Sequence, residues 1–444
     1  MAAPPRPRHL LVHSQTTPLR GALAVPGDKS ISHRAVMLAA VAEGTSRIEH
    51  WLPAGDTLAT LQAMRDLGAI IEDQPSGPAA WQLTITGRGL RGLLSPAGAL
   101  DCRNAGTCMR LLAGLLAGQA FPSVLDGSAQ LRRRPMRRIT EPLQAMGAVI
   151  HSRDGYAPLA IAPARLQGRE HRLTIASAQV KSALLLAGLY ADGMTQVVEP
   201  GPSRDHTERL LQAMGVELAS APLTVSLRPP ARLQPLAITV PGDISSAAFL
   251  LVAAILTPGS AVSVLNTGVN PTRTGLLDIL ADMGAPVTQT RPRLSGGEPV
   301  ADLSVQAAPV RAQTVAGARV VRAIDEFPVW AVVATQADGV SVLRDAAELR
   351  VKEVDRISLL AEELRKMGAR LDEQPDGFSV YGPTPLVGAD VDGHEDHRLV
   401  MALAVAGLTA RGVTRIHGAD CLTDSFPGFV ETLQALGAGL EWAA

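Results

Sequence analysis

Residues 143–150 read LQAMGAVI and residues 211–218 read LQAMGVEL. The same phrase returns, loosened, as MRDLGAII at 64–71, LADMGAPV at 280–287, LRKMGARL at 364–371 and LQALGAGL at 433–440. Each copy reads as the end of an amphipathic helix, a glycine, and the start of a strand. Glycine suits that place because it adopts the left-handed conformation that closes a helix. The six glycines are Gly68, Gly147, Gly215, Gly284, Gly368 and Gly437, spaced 68 to 84 residues apart. That period exceeds the one of short solenoid repeats, so each unit must hold several elements.

The segments before these glycines share one grammar. A polar cluster begins at Lys29, Asn104, Ser177, Asp243, Asp325 and Asp396, each 38 to 43 residues before its glycine. An apolar helix follows every cluster, as in AVMLAAVA, RLLAGLLAG and AAFLLVAAIL. Such helices are apolar nearly all round, which means they are buried. A turn, a strand and a second, surface helix complete the unit. The segment VPGD occurs at 25–28 and again at 240–243. It marks equivalent points in two halves, with Pro26 and Pro241 as crossover linkers. The reading is therefore α/β, with two similar domains of three repeat units each.

With 444 residues, 46% of them apolar and 19% charged, the chain is a folded protein of two or three domains by length. A formal net charge of −1 gives no support to a nucleic-acid or membrane-surface partner. Cys102, Cys108 and Cys421, odd in number and without CxxC, argue against a disulfide framework or a zinc cluster. The opening MAAPPRPRHLLVHSQ lacks the apolar core of a signal peptide, and no run of 18 apolar residues occurs. A cytoplasmic monomer is expected.

A buried helix presents unpaired N–H groups and a partial positive charge at its start, so equivalent starts facing one another would trap anions. The plainer reading of Ser30, Ser177 and Ser245 is as helix N-caps. Other motifs lead elsewhere. GRGLRG at 87–92 fits GxGxxG, but Pro96 blocks the helix a dinucleotide site requires. HEDH at 394–397 has no third ligand beside it for a metal, and RRRPMRR at 132–138 lies inside a repeat unit rather than in a tail. What remains is Asn104, Gly106 and Arg110 in NAGTCMR, Ser177 and Gln179 in SAQVKSA, Arg204 in SRDHTER and Asp325 in IDEFP. RVKEVDR adds Lys352, Glu353 and Arg356, and DHR adds Arg398. Several cations, amide donors and two carboxylates at equivalent repeat positions suit substrates rich in phosphate and carboxylate, with Asp and Glu left for proton transfer.

PGDKSISHR, NAGT.MR, RRRPM, SAQVKSA, IDEFP, RVKE.DR and DHR, in that order along nearly the whole chain, resemble the 5-enolpyruvylshikimate-3-phosphate synthase family. SAQVKSA and IDEFP resemble its branch of glyphosate-tolerant bacterial enzymes. The resemblance implies two domains of three βαβαββ units, an inside-out α/β barrel in each. Residues 1–24 and 241–444 would form one domain and 25–240 the other, with the active site in the cleft between them. It implies transfer of the enolpyruvyl group of phosphoenolpyruvate to the 5-hydroxyl of shikimate 3-phosphate, releasing phosphate, without metal or organic cofactor.

By the same resemblance, Lys29, Ser30, Arg34, Ser177, Ala178, Gln179, Arg204, Asp325 and Lys352 would hold shikimate 3-phosphate. Lys29, Gly106, Arg134, Gln179, Arg356 and Arg398 would hold phosphoenolpyruvate. Asp325 would take the 5-hydroxyl proton, and Glu353 with Lys29 or Lys352 would manage protonation at the methylene carbon. Gly106 stands where the family's backbone runs close to phosphoenolpyruvate, and the tolerant branch often has alanine there. Asp424 stands where many relatives carry lysine and is left out of the site. Val354 replaces a serine or threonine. The related transferase acting on UDP-N-acetylglucosamine carries a reactive cysteine in the loop that here reads LDGSAQLRRRP, without one.

Overall fold

The structure, a computed structural model, describes residues 9–77 and 79–443. The first eight residues, which include most of the stretch inspected for a signal peptide and the start of the expected 1–24 segment, lie outside the described residues. The described chain separates into two compact units, one of residues 27–241 with 294–298, the other of 9–26, 242–293 and 299–443. They are called here the 27–241 unit and the 242–443 unit.

Each repeat contributes one long buried helix: α1 (Lys29–Ala40), α2 (Gly106–Ala117), α3 (Ala178–Gly188), α4 (Ile244–Leu256), α5 (Phe327–Gln336) and α6 (His397–Thr409). All six start within two residues of the polar clusters that open the repeats. Their side chains supply the middle of each unit's hydrophobic core, α1 to α3 in one and α4 to α6 in the other. Sequences such as ISSAAFLLVAAIL have no solvent face, so they fold only where sheets and other helices cover them on every side. Close packing has a local condition between α2 and α3. A Cβ at Gly114 would stand 2.2 Å from the carbonyl oxygen of Ala183, so the helices approach there only because glycine lacks one.

Among the described residues, six four-stranded sheets accompany these helices, three per unit, and every sheet has the same order. In the second repeat Leu100–Asp101 pairs parallel with Ser123–Asp126, which pairs antiparallel with Tyr156–Ala162, itself the hairpin partner of Val149–Arg153. Reading along the chain gives β, helix, β, helix, β, β, the βαβαββ unit. All six phrase glycines have positive φ, from +84° at Gly215 to +99° at Gly147, as a helix closing into a strand requires.

The strands near the N-terminus complete sheets made from the other end of the chain. Arg20–Ala24 lies parallel to Ala261–Gly268, and His9–His13 sits between Val413–His417 and Leu440–Ala443. Correspondingly, Ala237–Thr239 supplies the first strand beside Glu43–Trp51. The two VPGD segments bond reciprocally at these crossings, Asp28 N donating to Pro241 O at 2.8 Å and Asp243 N to Pro26 O at 2.9 Å.

Candidate active site

The helix starts differ in how they are finished. Asp28, Asp243 and Asp396 cap α1, α4 and α6, each carboxylate accepting from backbone N–H groups of the first turn. Ala105 before α2 and Ser177 before α3 provide no side-chain cap. The reading of Ser30, Ser177 and Ser245 as caps is corrected here. A carboxylate two residues earlier takes the capping role from Ser30 and Ser245, and Ser177 occupies the cap position without making the bond.

In the 27–241 unit, Lys29 opens α1 and donates to Asp56 Oδ2 at 2.9 Å, both side chains mostly covered. Ser30 follows it. Arg34, one turn further in, is buried, with Nε on Thr207 Oγ1 and Nη2 on Ser182 Oγ at 2.8 Å each, and Nη1 on the Ser30 carbonyl at 2.9 Å. Burial pulls its proton affinity down to about 10, with Glu208 and Asp28 pulling back and the nearby Arg204 adding to the fall. Arg204 lies half-buried just before the helix His206–Ala213.

Gly106, Arg134 and Gln179 form a second group. Gly106 is the first residue of α2, and a Cβ on it would lie 2.8 Å from Arg134 Nη1 and 3.4 Å from Arg110 Nη1. Two guanidinium groups thus crowd the uncapped start of that helix. Arg110 donates to Gln179 Oε1 at 2.6 Å, and Gln179 Nε2 donates to Thr107 Oγ1 at 3.0 Å, which ties the starts of α2 and α3 together. Ala178 and Gln179 form the first turn of α3, beside Ser177. Beneath them Lys181 lies buried between Glu199 and Glu208, 2.7 Å from each. Burial works against its charge, but the two carboxylates outweigh it and raise its proton affinity.

The 242–443 unit gathers Asp325, Lys352, Glu353, Arg356 and Arg398 into one network. Arg356 is its centre, 1% exposed. Its Nε donates to Asp396 Oδ2 at 2.8 Å, Nη2 to Glu353 Oε2 at 2.6 Å, and Nη1 to Asp325 Oδ1 at 3.4 Å. Burial alone would lower its proton affinity, but Asp396, Glu353 and Asp325 more than offset that, and the net shift is upward. Lys352 Nζ stands 3.5 Å from Asp325 Oδ1, and Arg398 reaches the Asp325 carbonyl at 3.1 Å and its Oδ2 at 3.9 Å. Asp325 therefore faces three cations. Val354 packs against the hydrophobic core, which accounts for an apolar side chain where a hydroxyl was expected.

Some participants were not singled out from the sequence. Glu326 is buried and accepts from Ser245 Oγ, and Arg273 donates to Ser245 Oγ at 2.7 Å and to Asp243 Oδ1 at 3.2 Å. Asp56, Thr107, Ser182 and Thr207 likewise appear only as partners once the chain is folded. A carboxylate directly after Asp325 was the one available signal for Glu326. In HEDH, His394 Nε2 meets Glu363 Oε1 at 2.8 Å, while Asp396 caps α6. GRGLRG begins in the last two residues of the strand Ala80–Arg88 and runs on into a turn. Asp424 ends a short 3-10 helix, close enough to Cys421 to help burial and Asp396 push that thiol's proton affinity up.

The family model for EPSP synthase (3-phosphoshikimate 1-carboxyvinyltransferase) matches residues 13–433. The chain belongs to the EPSP synthase family. A 3-phosphoshikimate 1-carboxyvinyltransferase of Desulforudis audaxviator is 51% identical over 420 residues, 94% of this chain and 97% of the relative. One from Geobacter sp. strain M21 is 50% identical over the same shares. Among solved structures, EPSP synthase from Acinetobacter baumannii superposes with a TM-score of 0.88 at 42% identity, covering 98% of this chain and all of the other. Family membership makes the chain a transferase of aromatic amino-acid biosynthesis. Among the described residues, no helix is long and apolar enough to cross a membrane.

Proposed function

We propose that the two residue groups divide the family's reaction between them, the 27–241 unit mainly holding anions and the 242–443 unit moving protons. The reaction transfers the enolpyruvyl group of phosphoenolpyruvate to the 5-hydroxyl of shikimate 3-phosphate and releases phosphate. Lys29, Ser30, Arg34, Ser177, Ala178, Gln179 and Arg204 hold shikimate 3-phosphate, with Asp325 and Lys352. Gly106, Arg134, Lys29, Gln179, Arg356 and Arg398 hold phosphoenolpyruvate. The starts of α2 and α3 suit this because no carboxylate cancels their partial positive charge, while guanidinium groups stand beside one of them.

One observation carries the chemistry: the Asp325 carboxylate is ringed by Lys352, Arg356 and Arg398. Anionic substrates take up those cations and release the carboxylate to accept the 5-hydroxyl proton as that oxygen attacks C2 of phosphoenolpyruvate. Glu353, with Lys29 or Lys352, protonates the methylene carbon and later removes a proton from it as phosphate leaves. A paired acid and base each contribute about 10²–10⁴-fold, and the fixed cations stabilise the charge that develops.

The two units act as the two domains of this enzyme, working as a monomer in the cytoplasm. That one chain supplies both residue groups supports the monomer, and sedimentation at assay concentration tests it. Phosphate release from phosphoenolpyruvate is the test of the reaction itself. Shikimate 3-phosphate should support release and UDP-N-acetylglucosamine should not. The opposite preference would overturn the reading.

A further inference from the structure

We infer that Glu326, backed by Ser245 and Arg273, is a positioning residue that keeps Arg398 from closing onto the Asp325 carboxylate. The inference rests on the roles proposed above for Asp325 and Arg398. Glu326 directly follows Asp325, yet it points into the protein and is 1% exposed. A buried carboxylate beside a reacting one is costly unless its charge is used.

The geometry shows the use. Glu326 Oε1 accepts the hydroxyl proton of Ser245, and that same hydroxyl oxygen accepts from Arg273 Nη2 at 2.7 Å. A serine hydroxyl has one proton to give, so the Arg273–Ser245–Glu326 relay runs in one direction only. Arg273 is anchored in turn by Asp243 Oδ1 at 3.2 Å and lies 4.0 Å from Glu326 Oε1. Arg398 Nη1 likewise stands 4.0 Å from Glu326 Oε1 while donating to the Asp325 carbonyl at 3.1 Å. The starts of α4, α5 and α6 are thereby tied together through one carboxylate.

Arg398 thus lies between two negative groups. Its Nη2 is 3.9 Å from Asp325 Oδ2, too far for a hydrogen bond but near enough to be drawn in. Glu326 supplies the opposing pull. Without that charge the guanidinium would settle on Asp325, masking the base and withdrawing a cation from phosphoenolpyruvate together. Lys352, Arg356, Glu353 and Asp396 also stand around this pair, Lys352 and Arg356 held to Asp325, and Glu353 and Asp396 held to Arg356.

The test is steady-state kinetics and the pH profile of Glu326→Gln, with Ser245→Ala as a milder variant that keeps the charge but loosens it. Glutamine retains an acceptor for Ser245, so the fold has its hydrogen bond. Losing a charge-assisted interaction of this kind should lower kcat/KM for phosphoenolpyruvate roughly 10- to 100-fold. KM for shikimate 3-phosphate should change little. The acid limb of the profile should move to lower pH, because a closer Arg398 holds Asp325 ionised more strongly. Loss of a like charge beside Asp325 moves that limb in the same direction by itself. The discriminating readout is therefore Ser245→Ala, which keeps the Glu326 charge and in which a merely structural role would leave the limb unmoved. Ser245→Ala should move both readouts the same way by less, and it decides the matter if Glu326→Gln does not fold. A folded Glu326→Gln with kcat/KM near wild type, or with both KM values raised equally and an unmoved limb, overturns the inference. Asp325→Asn run alongside separates the failures. If that variant is inactive and Glu326→Gln is normal, only the positioning role falls; if Asp325→Asn is normal, the proposed base falls first.

Discussion

The two units bury their charges in different ways. In the 27–241 unit, Lys181 sits with Glu199 and Glu208 beneath the helix starts, while Gly106 and Gln179 lie at the starts themselves and Arg134 stands beside Gly106. Stability and ligand binding fall to largely separate residues. In the 242–443 unit Arg356 serves both, since the cation that balances Asp396 and Glu353 is also within reach of Asp325. The lesson is that a network that moves protons cannot easily be divorced from the one that holds its helices.

Substitutions can break that contrast. Removing one partner of a buried ion pair costs about 3–5 kcal/mol, because the other charge is stranded. Lys181→Met and Arg356→Met should both incur a loss of that order in denaturant unfolding. Their turnover should part company: folded Lys181→Met stays close to wild type in kcat, and Arg356→Met loses nearly all of it. Equal loss of turnover in both would erase the distinction between the units.

A smaller effect is expected at Gly106. Alanine there brings a Cβ to 2.8 Å from Arg134 Nη1, and the flexible guanidinium must give way. KM for phosphoenolpyruvate should rise several-fold with kcat less affected. Glyphosate is longer than phosphoenolpyruvate, so its inhibition, competitive with that substrate, should weaken more. Inhibition constants of wild type and variant measured side by side decide this, and equal tolerance in both would remove Gly106 from control of access.

The smallest effect concerns pH. Burial first, then Lys29 and Arg34, holds the proton affinity of His33 well below the ordinary 6.5. The unfolded chain takes up a proton there as pH falls through that value, and the folded chain does not. Stability present above about pH 6.5 is therefore lost below it, by up to about 1.4 kcal/mol per pH unit from this one group. His33→Gln should flatten the fall in unfolding midpoint between neutral and mildly acid buffers, and an unchanged slope would assign the loss elsewhere.

What could be read from the sequence was what backbone geometry demands locally. A helix that closes into a strand needs a residue at positive φ, so six glycines marked six repeats, and polar residues before apolar runs marked the helix starts. Long-range pairing left no such mark. Nothing in HLLVH says that His9–His13 lies beside Leu440–Ala443. The capping serines were misjudged because Asp28 and Asp243 compete for the same N–H groups and win. Glu326 and Asp325 are neighbours of one chemical type, and only the direction each takes at the start of α5 separates them. Arg273 carries no sequence signal at all until Ser245 and Asp243 are seen around it.

The division of labour rests most heavily on Asp325. Turnover of Asp325→Asn, measured as phosphate release with saturating shikimate 3-phosphate and phosphoenolpyruvate, tests it most directly. The account predicts a fall in kcat of roughly 10²-fold or more, as for a lost general base, with substrate affinity kept within about an order of magnitude. Turnover near that of the wild type would contradict it and move the base to Glu353.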